Sequence, residues 1–556
     1  MSGARSTLVE ALSQLPADPA RGFRFRALDG QERDFSWREV AQEATRRAQL
    51  LLGSGLRKGD RLALVIAEPH EFVLTFLGAT FAGIVPVPIY PRASFKAKNA
   101  YVETVSHIVR AAGARGIVTL SSTRAVVDEV LAHVALERVL SADEFFVGQA
   151  GHGDLPDIAP DDLCFLQFTS GSTSMPKGVV VTHANLVANA DAFLGPHGLD
   201  RKPEDRALTW LPLFHDMGLI GFVLGTILHD IPTTLLPTEA FARRPTMWME
   251  AMSKERASIT FAPNFAYGLA VKRSRDKDLE GLDLSCVRIA GCGAEPINPQ
   301  VMRAFGERFA QVGFPLTSLM PCYGMAEATL AISFHAHGTA MRTDRVSATG
   351  MQNRRAQPAN GADDSVELVS CGPAFPGHSV KIVDEQGQEL PERAVGEIIT
   401  SGPSITAGYY GNPEVTAESY RNGYLHTGDL GYIADGNIYV CGRIKDLIII
   451  RGANFYPQDI EWSVAEVEGV RRDNVVAFSV VQDGEEKLVI SAEGNSADAT
   501  MLRKAIAAKV TETHALTAAH VSIVRVGSLP KTSSGKIQRR RTKALFEQGL
   551  LEEHPS

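Results

Sequence analysis

FTSGSTSMPKG, residues 168–178, is the stretch that decides the fold. It combines hydroxyl side chains, glycines and one lysine, and it lies between an apolar run at 163–168 and a second run at 179–181. A loop between strands with free backbone N–H groups and hydroxyls can wrap a polyphosphate, and Lys177 adds a positive charge. The common P-loop has another spacing, because its lysine directly follows a glycine and precedes Ser or Thr. The alternative interpretation is an ordinary polar hairpin loop.

The segment that precedes this loop alternates between helical and strand patterns. Residues Trp37–Leu52 have apolar residues at helical spacing, and Arg61–Ala67 is an apolar run typical of strands buried on both faces. A helix from Glu71 and strands at Ile84–Tyr90 and Gly116–Thr119 follow. Strands that alternate with helices predict an α/β fold with parallel sheets.

Length, charge and cysteine usage exclude several classes of protein. With 556 residues, 44% of them hydrophobic, the chain is long enough to form more than one domain. The net charge of -8 and a pI near 6.0 argue against a nucleic-acid binder. The six cysteines form no CxxC pair, so neither a zinc ribbon nor a disulfide framework is predicted, and we expect a cytoplasmic protein.

One uncharged run, Phe72–Tyr90, is long enough to span a bilayer. However, Gly78, Gly83, Pro86 and Pro88 interrupt it. We therefore predict a buried helix followed by a buried strand, and no membrane span. The first 22 residues also lack the long apolar core of a signal peptide.

Two stretches after the loop carry candidate substrate-binding residues. Thr182 is placed to cap a helix that reaches Leu194. The next motif, LPLFHDMGLI at 211–220, places His215 in a break between apolar runs, where it is either a structural or a catalytic histidine. The aromatic-rich stretch SITFAPNFAY at 258–267 fits plain core and an acyl tunnel equally well, and composition does not decide between them.

Two short motifs further along fit a bound nucleotide. GCGAEP at 291–296 follows a predicted strand, and its glycines let the backbone approach a flat ring closely. PCYGMAE at 321–327 offers Tyr323 to stack on a base and Glu327 as a hard oxygen ligand for Mg2+. The alternative for the second motif is a surface loop with an incidental acid.

A change of character separates these motifs from the next ones. Residues 338–369 are polar with few aliphatic side chains, and we interpret them as an irregular insertion or a mobile loop. Beyond them, YLHTGD at 424–429 places Asp429 after a tight turn, where it can pair with ribose hydroxyls. GRIKD at 442–446 supplies Arg443 as a second ribose or phosphate partner.

From Asp446 onward the pattern predicts a small second domain with strands at 447–450, 475–481 and 487–492 and helices at 457–467 and 501–511. Its tail, LPKTSSGKI at 529–537, holds Lys536 on a loop that is free to reach into the site of another domain. A basic cluster follows, which is either a solvated helical face or a docking patch for an acidic partner: Arg539, Arg540, Arg541 and Lys543.

In this order, the motifs from 168 to 537 resemble those of the adenylate-forming superfamily, with Ser174 where that family usually has Gly. Within it the chain most resembles the fatty acyl-AMP ligases, because of HDMGL at 215–219, APNFAY at 262–267 and the polar insertion. The resemblance implies a large α/β N-terminal AMP-binding domain at 1–444 with an insertion at about 339–369. It also implies a small, mobile α+β C-terminal domain at 445–556 that hinges at Lys445.

The resemblance also implies the reaction: ATP activates a fatty acid to an acyl-adenylate, and the acyl group passes to an acyl carrier protein, such as one of a polyketide or non-ribosomal peptide synthase. Catalysis would fall to Lys536, which bridges carboxylate and α-phosphate, and to His215 near the carboxylate. Glu327 would hold Mg2+. Phosphate-loop, adenine and ribose contacts would come from Thr169, Ser170, Gly171, Ser172, Thr173, Lys177, Gly293, Ala294, Glu295, Tyr323, Gly324, Met325, Asp429 and Arg443.

Three alternatives remain open at this point. An acyl-CoA synthetase would differ only in the acceptor of the acyl group. An amino-acid adenylation enzyme usually places an Asp just after an aromatic residue in this region, whereas Asp216 follows His215. A nucleotide-binding regulator without catalysis would tend to lose Lys536 or Glu327, and both are present.

Overall fold

The computed structural model describes residues 5–91, 98–149, 151, 153–169, 175–361, 364–482, 485–495, 499–532 and 535–554. The fold is built around a large sheet whose central strands are parallel and whose two edge strands are antiparallel to their neighbours. Parallel strands place their carboxyl ends at one edge of a sheet, so the motifs that follow these strands collect there. Across the sheet the strands are Ala331–Phe334, Leu319–Gly324, Ile289–Cys292, Ile259–Ala262, Ala207–Thr209, Thr233–Leu235, Gly22–Arg26 and Glu32–Ser36.

A second, wholly parallel sheet confirms the predicted α/β pattern. Its strands, in order across the sheet, are Val85–Pro88, Arg61–Leu64, Gly116–Thr119 and Arg138–Ser141. The predicted helix at the start of the chain runs from Trp37 to Gly53. The run 72–90 forms the helix Pro69–Phe81 and then a strand, and in the part of the chain that is described no helix is long and apolar enough to cross a membrane.

The central motif occupies a β-hairpin. Strand Leu163–Thr169 pairs antiparallel with strand Lys177–Thr182, as the flanking apolar runs predict. Thr182 caps the helix His183–Leu194 by accepting a hydrogen bond from the backbone N–H of Asn185, which confirms the predicted cap. The hairpin, its cap and the helix therefore follow directly from local sequence.

The prediction that residues 338–369 are irregular is wrong. Strand Thr343–Val346 pairs with strand Val366–Val369, and a short helix, Ala348–Gln352, lies between them. The few apolar residues of the segment, Val346, Met351 and Leu368 among them, are buried in a cluster. Most of its other members come from the next sheet, so the core that orders the insertion is mostly supplied by distant residues.

That next sheet is antiparallel and leads toward the predicted hinge. Its strands are Ser379–Val383, Gly396–Ser401, Tyr424–Ala434, Tyr420–Arg421 and Asn437–Arg443. The carboxylate of Asp344, in the insertion, accepts hydrogen bonds of 2.9 Å from Arg393 and from the Tyr432 hydroxyl of this sheet. The polar residues of the insertion thus help to anchor it.

The C-terminal part has its own core, centred on Ile448, Ile460, Ile490 and Ile506. The predicted elements are present with somewhat different bounds: strands Ile448–Ile450, Ala453–Phe455, Val470–Gln482, Glu485–Gly494 and Ala518–Val524, and helices Pro457–Val464, Ala499–His514 and Arg539–Glu547.

The basic cluster on the last helix is only partly a solvated face. Arg539 binds Asp446 and Glu461 at 2.8 Å each, and Arg540 donates a hydrogen bond to the backbone oxygen of Lys445 at 3.2 Å. Arg541, by contrast, is exposed. Two of the arginines therefore connect this helix to the predicted hinge.

The remaining elements connect and cover the sheets. The remaining helices are Leu8–Ser13, Lys98–Ala112, Arg124–Leu131, Ala142–Phe145, Asp216–Leu228, Thr238–Arg243, Met247–Glu255, Asn264–Arg273, Pro299–Ala310 and Pro413–Ser419. Single 3₁₀ turns lie at Ser121–Thr123, Asp276–Asp278, Leu316–Ser318, Ala326–Ala328 and Ile444–Asp446.

Candidate active site

The predicted ribose residues lie next to the predicted base-stacking residue. The hydroxyl of Tyr323 donates a hydrogen bond of 2.8 Å to Asp429 Oδ2, and Arg443 Nε lies 3.4 Å from Asp429 Oδ1. Asp429 and Arg443 face each other across two paired strands, which fixes their spacing. Burial raises the pKa of Asp429, and the charge of Arg443 opposes that shift.

The turn at 291–296 leaves no room for a side chain at Gly293. A Cβ atom there would lie 2.5 Å from the Cys322 sulfur, so the backbone can approach the neighbouring strand only because this residue is glycine. Ala294 has a φ of 68° and is exposed. Glu295 accepts a hydrogen bond of 2.8 Å from the backbone N–H of Phe265, which ties the turn to the neighbouring helix.

The rest of the PCYGMAE motif lies on the adjacent strand and its continuation. Gly324 ends the strand Leu319–Gly324 against the backbone of Leu330, which again excludes a side chain. Met325 packs beside Tyr323 in a shared apolar cluster. These positions form one wall of the site together with the turn at 291–296.

Glu327 and Lys177 both contact Tyr409, which lies outside the predicted motifs. The hydroxyl of Tyr409 donates a hydrogen bond of 2.8 Å to Glu327 Oε1. Lys177 Nζ lies 5.4 Å from the centroid of the Tyr409 ring, over its face. Sequence reasoning missed Tyr409, because its position depends on the pairing of residues 408–410 with the hairpin.

The phosphate hairpin is described only at its two ends. Thr169 and Lys177 face each other as the last paired residues before the loop. Ser170, Gly171, Ser172 and Thr173 lie outside the described residues, so their predicted contacts stay predictions. Within the hairpin, Gln167 donates a hydrogen bond of 3.0 Å to the backbone oxygen of Phe214, which links the hairpin to the His215 motif.

The predicted catalytic residues Lys536 and His215 lie within electrostatic reach of each other. Burial lowers the pKa of His215 to about 3, and the charge of Lys536 adds to that shift, so His215 is neutral at pH 7. Burial also lowers the pKa of Lys536, while the carboxylates of Asp216 and Glu295 oppose the shift. Sequence reasoning had not assigned Asp216 this role beside the lysine.

A narrow apolar pocket with about 30 Å³ of free volume begins beside these predicted catalytic residues. Met217, which directly follows Asp216, lines it, as do Gly221 and Leu330. Ala207 and Ile259 also line it, and both are the first residues of their strands, so the pocket extends toward the far edge of the sheet. Other walls come from Phe193, Leu194, Leu199, Phe222, Thr226, Ile231, Phe261 and Phe334.

The helix along this pocket has a break in its regular pattern. It is α-helical at Asp216–Leu219, forms a π-helical turn at Ile220–Leu224, and returns to α-helix at Gly225–Leu228. Such turns occur often at functional sites. Here the turn lies between the residues next to His215 and the residues along the pocket.

The residues of the site fit ATP and Mg2+ chemically. Mg2+ is usually held by one or two carboxylates together with substrate phosphates, and Glu327 is a partly buried carboxylate near the phosphate hairpin. In the turn at 291–296, Gly293 packs against Cys322 and Ala294 is exposed, so Ala294 offers the backbone surface for a flat ring. Asp429 and Arg443 offer an acceptor and a donor beside it.

Comparison with known proteins also indicates a nucleotide-binding enzyme. The family model described as AMP-binding enzyme matches residues 15–410, which is more than half of the chain. The chain belongs to this AMP-binding enzyme family. A second model, described as the AMP domain of Disco-interacting protein 2-like proteins, matches residues 445–555 of this AMP-binding enzyme.

Individual relatives cover nearly the whole AMP-binding enzyme. A putative acyl-CoA synthetase of Caulobacter vibrioides is 36% identical over 98% of this chain and 96% of its own length. A medium-chain-fatty-acid–[acyl-carrier-protein] ligase of Moorena producens is 33% identical over 93% and 90%. A structure from a study of fatty acyl-adenylate ligases from E. coli and L. pneumophila has a TM-score of 0.92 at 35% identity, covering 98% of each chain.

These matches confirm the α/β fold class with a smaller C-terminal part, the resemblance to fatty acyl-AMP ligases and the interpretation as an adenylate-forming enzyme that uses ATP. The roles of individual site residues and the domain boundary with its hinge at Lys445 stay predictions.

Proposed function

We propose that this enzyme joins a fatty acid to AMP with release of pyrophosphate, and then transfers the acyl group to the phosphopantetheine thiol of an acyl carrier protein. The observation that carries the proposal is the apolar pocket that begins at Met217. Met217 follows Asp216, and the carboxylate of Asp216 interacts electrostatically with Lys536. A fatty acid has an ionised end and an apolar chain, and the lysine and the pocket match these two parts in that order.

In the first step a carboxylate oxygen of the acid attacks the α-phosphorus of ATP. The bond from that phosphorus to the bridging oxygen breaks, and pyrophosphate leaves with the electron pair. Negative charge builds on the phosphate oxygens, so cations fixed nearby lower the barrier. Lys536 is proposed to lie between the carboxylate and the α-phosphate, where its positive charge acts on both. His215, neutral at pH 7, can hydrogen-bond the carboxylate without adding charge.

The nucleotide is proposed to bind along the wall already described. Lys177, Thr169 and residues 170–173 would hold the β- and γ-phosphates, and Glu327 would hold Mg2+. When bound, Mg2+ supplies further neutralisation of the phosphate charge. The adenine would lie against Gly293, Ala294, Glu295, Tyr323, Gly324 and Met325, and the ribose beside Asp429 and Arg443.

In the second step a thiolate attacks the acyl carbonyl carbon, and AMP leaves with the electrons of the broken carbon–oxygen bond. Residues 445–556 are proposed to rotate about Lys445, because Lys536 belongs to the first step and must withdraw for the second. An acyl carrier protein as acceptor is supported by the name of the Moorena producens relative and by the ordered insertion at 339–369. The competing acceptor is coenzyme A, which the name of the Caulobacter vibrioides relative favours.

Pyrophosphate release across a panel of carboxylic acids of graded chain length tests the first step. Adding either coenzyme A or a phosphopantetheinylated carrier protein, and following the thioester by mass spectrometry, tests the second. We expect alkanoic acids to give acyl-AMP and the carrier to accept the acyl group in preference to coenzyme A. Efficient acyl-CoA formation would overturn the acceptor and leave the adenylation chemistry intact.

A further inference from the structure

Tyr409 contacts two charged residues that belong to separate motifs. Its hydroxyl donates a hydrogen bond of 2.8 Å to Glu327 Oε1. The ammonium group of Lys177 lies over the face of its ring, 5.4 Å from the centroid, which is within the range of a cation–π contact. One side chain therefore contacts both the proposed Mg2+ ligand and the proposed phosphate-binding cation.

The backbone around Tyr409 is bonded to both motifs as well. The N–H of Tyr410 donates to the oxygen of Gly178 at 2.8 Å, and the N–H of Val180 donates to the oxygen of Gly408 at 3.0 Å. Residues 408–410 thus extend the hairpin that carries Lys177.

The same segment also forms hydrogen bonds with the backbone of Glu327, the proposed Mg2+ ligand. The N–H and the hydroxyl of Thr406 both donate to the backbone oxygen of Glu327, each at 3.0 Å. The backbone of Tyr409 is therefore held in place relative to both Glu327 and Lys177.

We infer that Tyr409 is a positioning residue, which holds Glu327 and Lys177 at the separation that Mg2+ and the polyphosphate of ATP require together. The inference rests on the proposed function, since it takes Glu327 as the Mg2+ ligand. A donor on Oε1 fixes the plane of the carboxylate, and Oε2 would then be the oxygen available to hold Mg2+. Losing the partner that orients a metal ligand typically weakens metal affinity about 10–100-fold.

Two substitutions separate the two contacts of Tyr409. Tyr409→Phe keeps the ring under Lys177 and removes the donor to Glu327. Tyr409→Leu removes both contacts. Calorimetric titration of ATP at graded Mg2+ concentrations, with no acid substrate present, measures binding without turnover, and titration in EDTA measures metal-free ATP binding.

We expect Tyr409→Phe to raise the half-saturating Mg2+ concentration about tenfold and to leave metal-free ATP binding unchanged. Tyr409→Leu should show the same Mg2+ shift and also weaken metal-free ATP binding, because Lys177 loses the ring that places it. Tyr410→Phe is the matched control. The guanidinium carbon of Arg61 lies 5.7 Å from the centroid of the Tyr410 ring. Tyr410→Phe keeps that ring, so this variant should bind Mg2+ and ATP as wild type does.

Glu327→Gln serves as the reference that separates the inference from the proposed function. If Glu327→Gln shifts the Mg2+ curve and Tyr409→Phe does not, the positioning role is overturned and the metal assignment stands. If Glu327→Gln leaves the curve unchanged, the metal assignment itself fails. If Tyr409→Leu binds metal-free ATP as tightly as wild type, the placement of Lys177 by the ring is overturned. Thermal melting of every variant checks that it is folded.

Discussion

The side-chain amide nitrogen of Asn454 donates a hydrogen bond of 2.7 Å to the backbone oxygen of Gln352. Gln352 ends the helix of the insertion, and Asn454 lies in the hairpin that opens the C-terminal part. The bond therefore joins the insertion to the C-terminal part in the arrangement that places Lys536 near His215.

Asn454→Ala should shift the balance between the two half-reactions toward thioester formation. A single hydrogen bond contributes about 1 kcal/mol net, so its loss should raise the population of other domain arrangements about fivefold. The ratio of thioester formed to acyl-AMP released, for coenzyme A and for a carrier protein, measures the shift. Asn353→Ala is the control, since its side chain donates a hydrogen bond within the insertion, to the backbone oxygen of Thr349.

An unchanged ratio would mean that this contact does not restrain the C-terminal part. The point variant isolates the contact, whereas deleting residues 342–362 would also remove Val346 and Met351 from a shared core and lower stability.

Lys536→Ala should lower pyrophosphate release about 10²- to 10³-fold, because it removes one positioned charge where negative charge develops. Thioester formation from supplied acyl-AMP should survive, and so should the melting temperature. Lys543→Ala is the control, because Lys543 lies on the last helix and pairs with Glu547 at 3.9 Å. Lys536→Ala with more than half of wild-type pyrophosphate release would refute the catalytic role.

The alkaline limb of the pH–rate profile should reflect the deprotonation of Lys536. Burial lowers its pKa below the usual 10.5, and the neutral amine carries no charge, so pyrophosphate release should decline as pH rises, before pH 10.5 is reached. Asp216 opposes the shift, so Asp216→Asn should move the decline to still lower pH. Identical alkaline limbs for wild type and Asp216→Asn would contradict the electrostatic pairing.

Lys445→Pro should leave acyl-AMP formation and block thioester formation. Proline fixes φ near -65°, so it restricts a pivot whose backbone angles must change, and it disfavours the helical conformation of the residue before it. The 3₁₀ turn Ile444–Asp446 surrounds the position. Separate assays of the two half-reactions measure the effect, with Lys445→Ala as the control that keeps both. Equal loss of both steps would place the pivot at another residue.

Gly221→Leu should shorten the acids that the enzyme accepts. A Cβ at this position would meet only Leu330 Cδ2, at an ordinary 3.6 Å, so the backbone tolerates a side chain that then fills the pocket. Each methylene of the acyl chain that can no longer be buried costs about 0.8 kcal/mol. This changes the ratio of the rates for long and short acids about fourfold.

The matched control for this pocket is Thr226→Val. Thr226 lines the same wall, and its hydroxyl donates within the helix to the oxygen of Phe222. Chain-length preference should therefore stay as in wild type. If Gly221→Leu also keeps the wild-type preference in the pyrophosphate assay, the acyl chain binds elsewhere.

Much of the framework was predictable because it depends on local pattern. The strand Gly116–Thr119 has the predicted bounds, and Thr182 caps its helix as expected. Tyr323 and Asp429 are 106 positions apart and still share a hydrogen bond, which the order of the motifs anticipates but no local pattern predicts.

Features that depend on distant partners were missed. Tyr409 contacts Glu327 because residues 408–410 extend the hairpin, and nothing within its own segment indicates that pairing. The insertion looked irregular because its apolar residues are few. They become a core only when Tyr432 and Tyr439 from a later sheet complete it.

The π-helical turn at Ile220–Leu224 makes the segment 216–228 sensitive to length rather than to composition. An α-helix turns by about 100° per residue, and the π-helical turn already holds one residue more than an α turn, so inserting a further residue would rotate Asp216 and everything before it relative to Thr226. The end that we propose to meet the carboxylate and the wall that we propose to meet the acyl chain would then point to different sides. Substitutions along this helix can retune which acid fits, but an insertion of one residue would disconnect recognition of the acid from its activation.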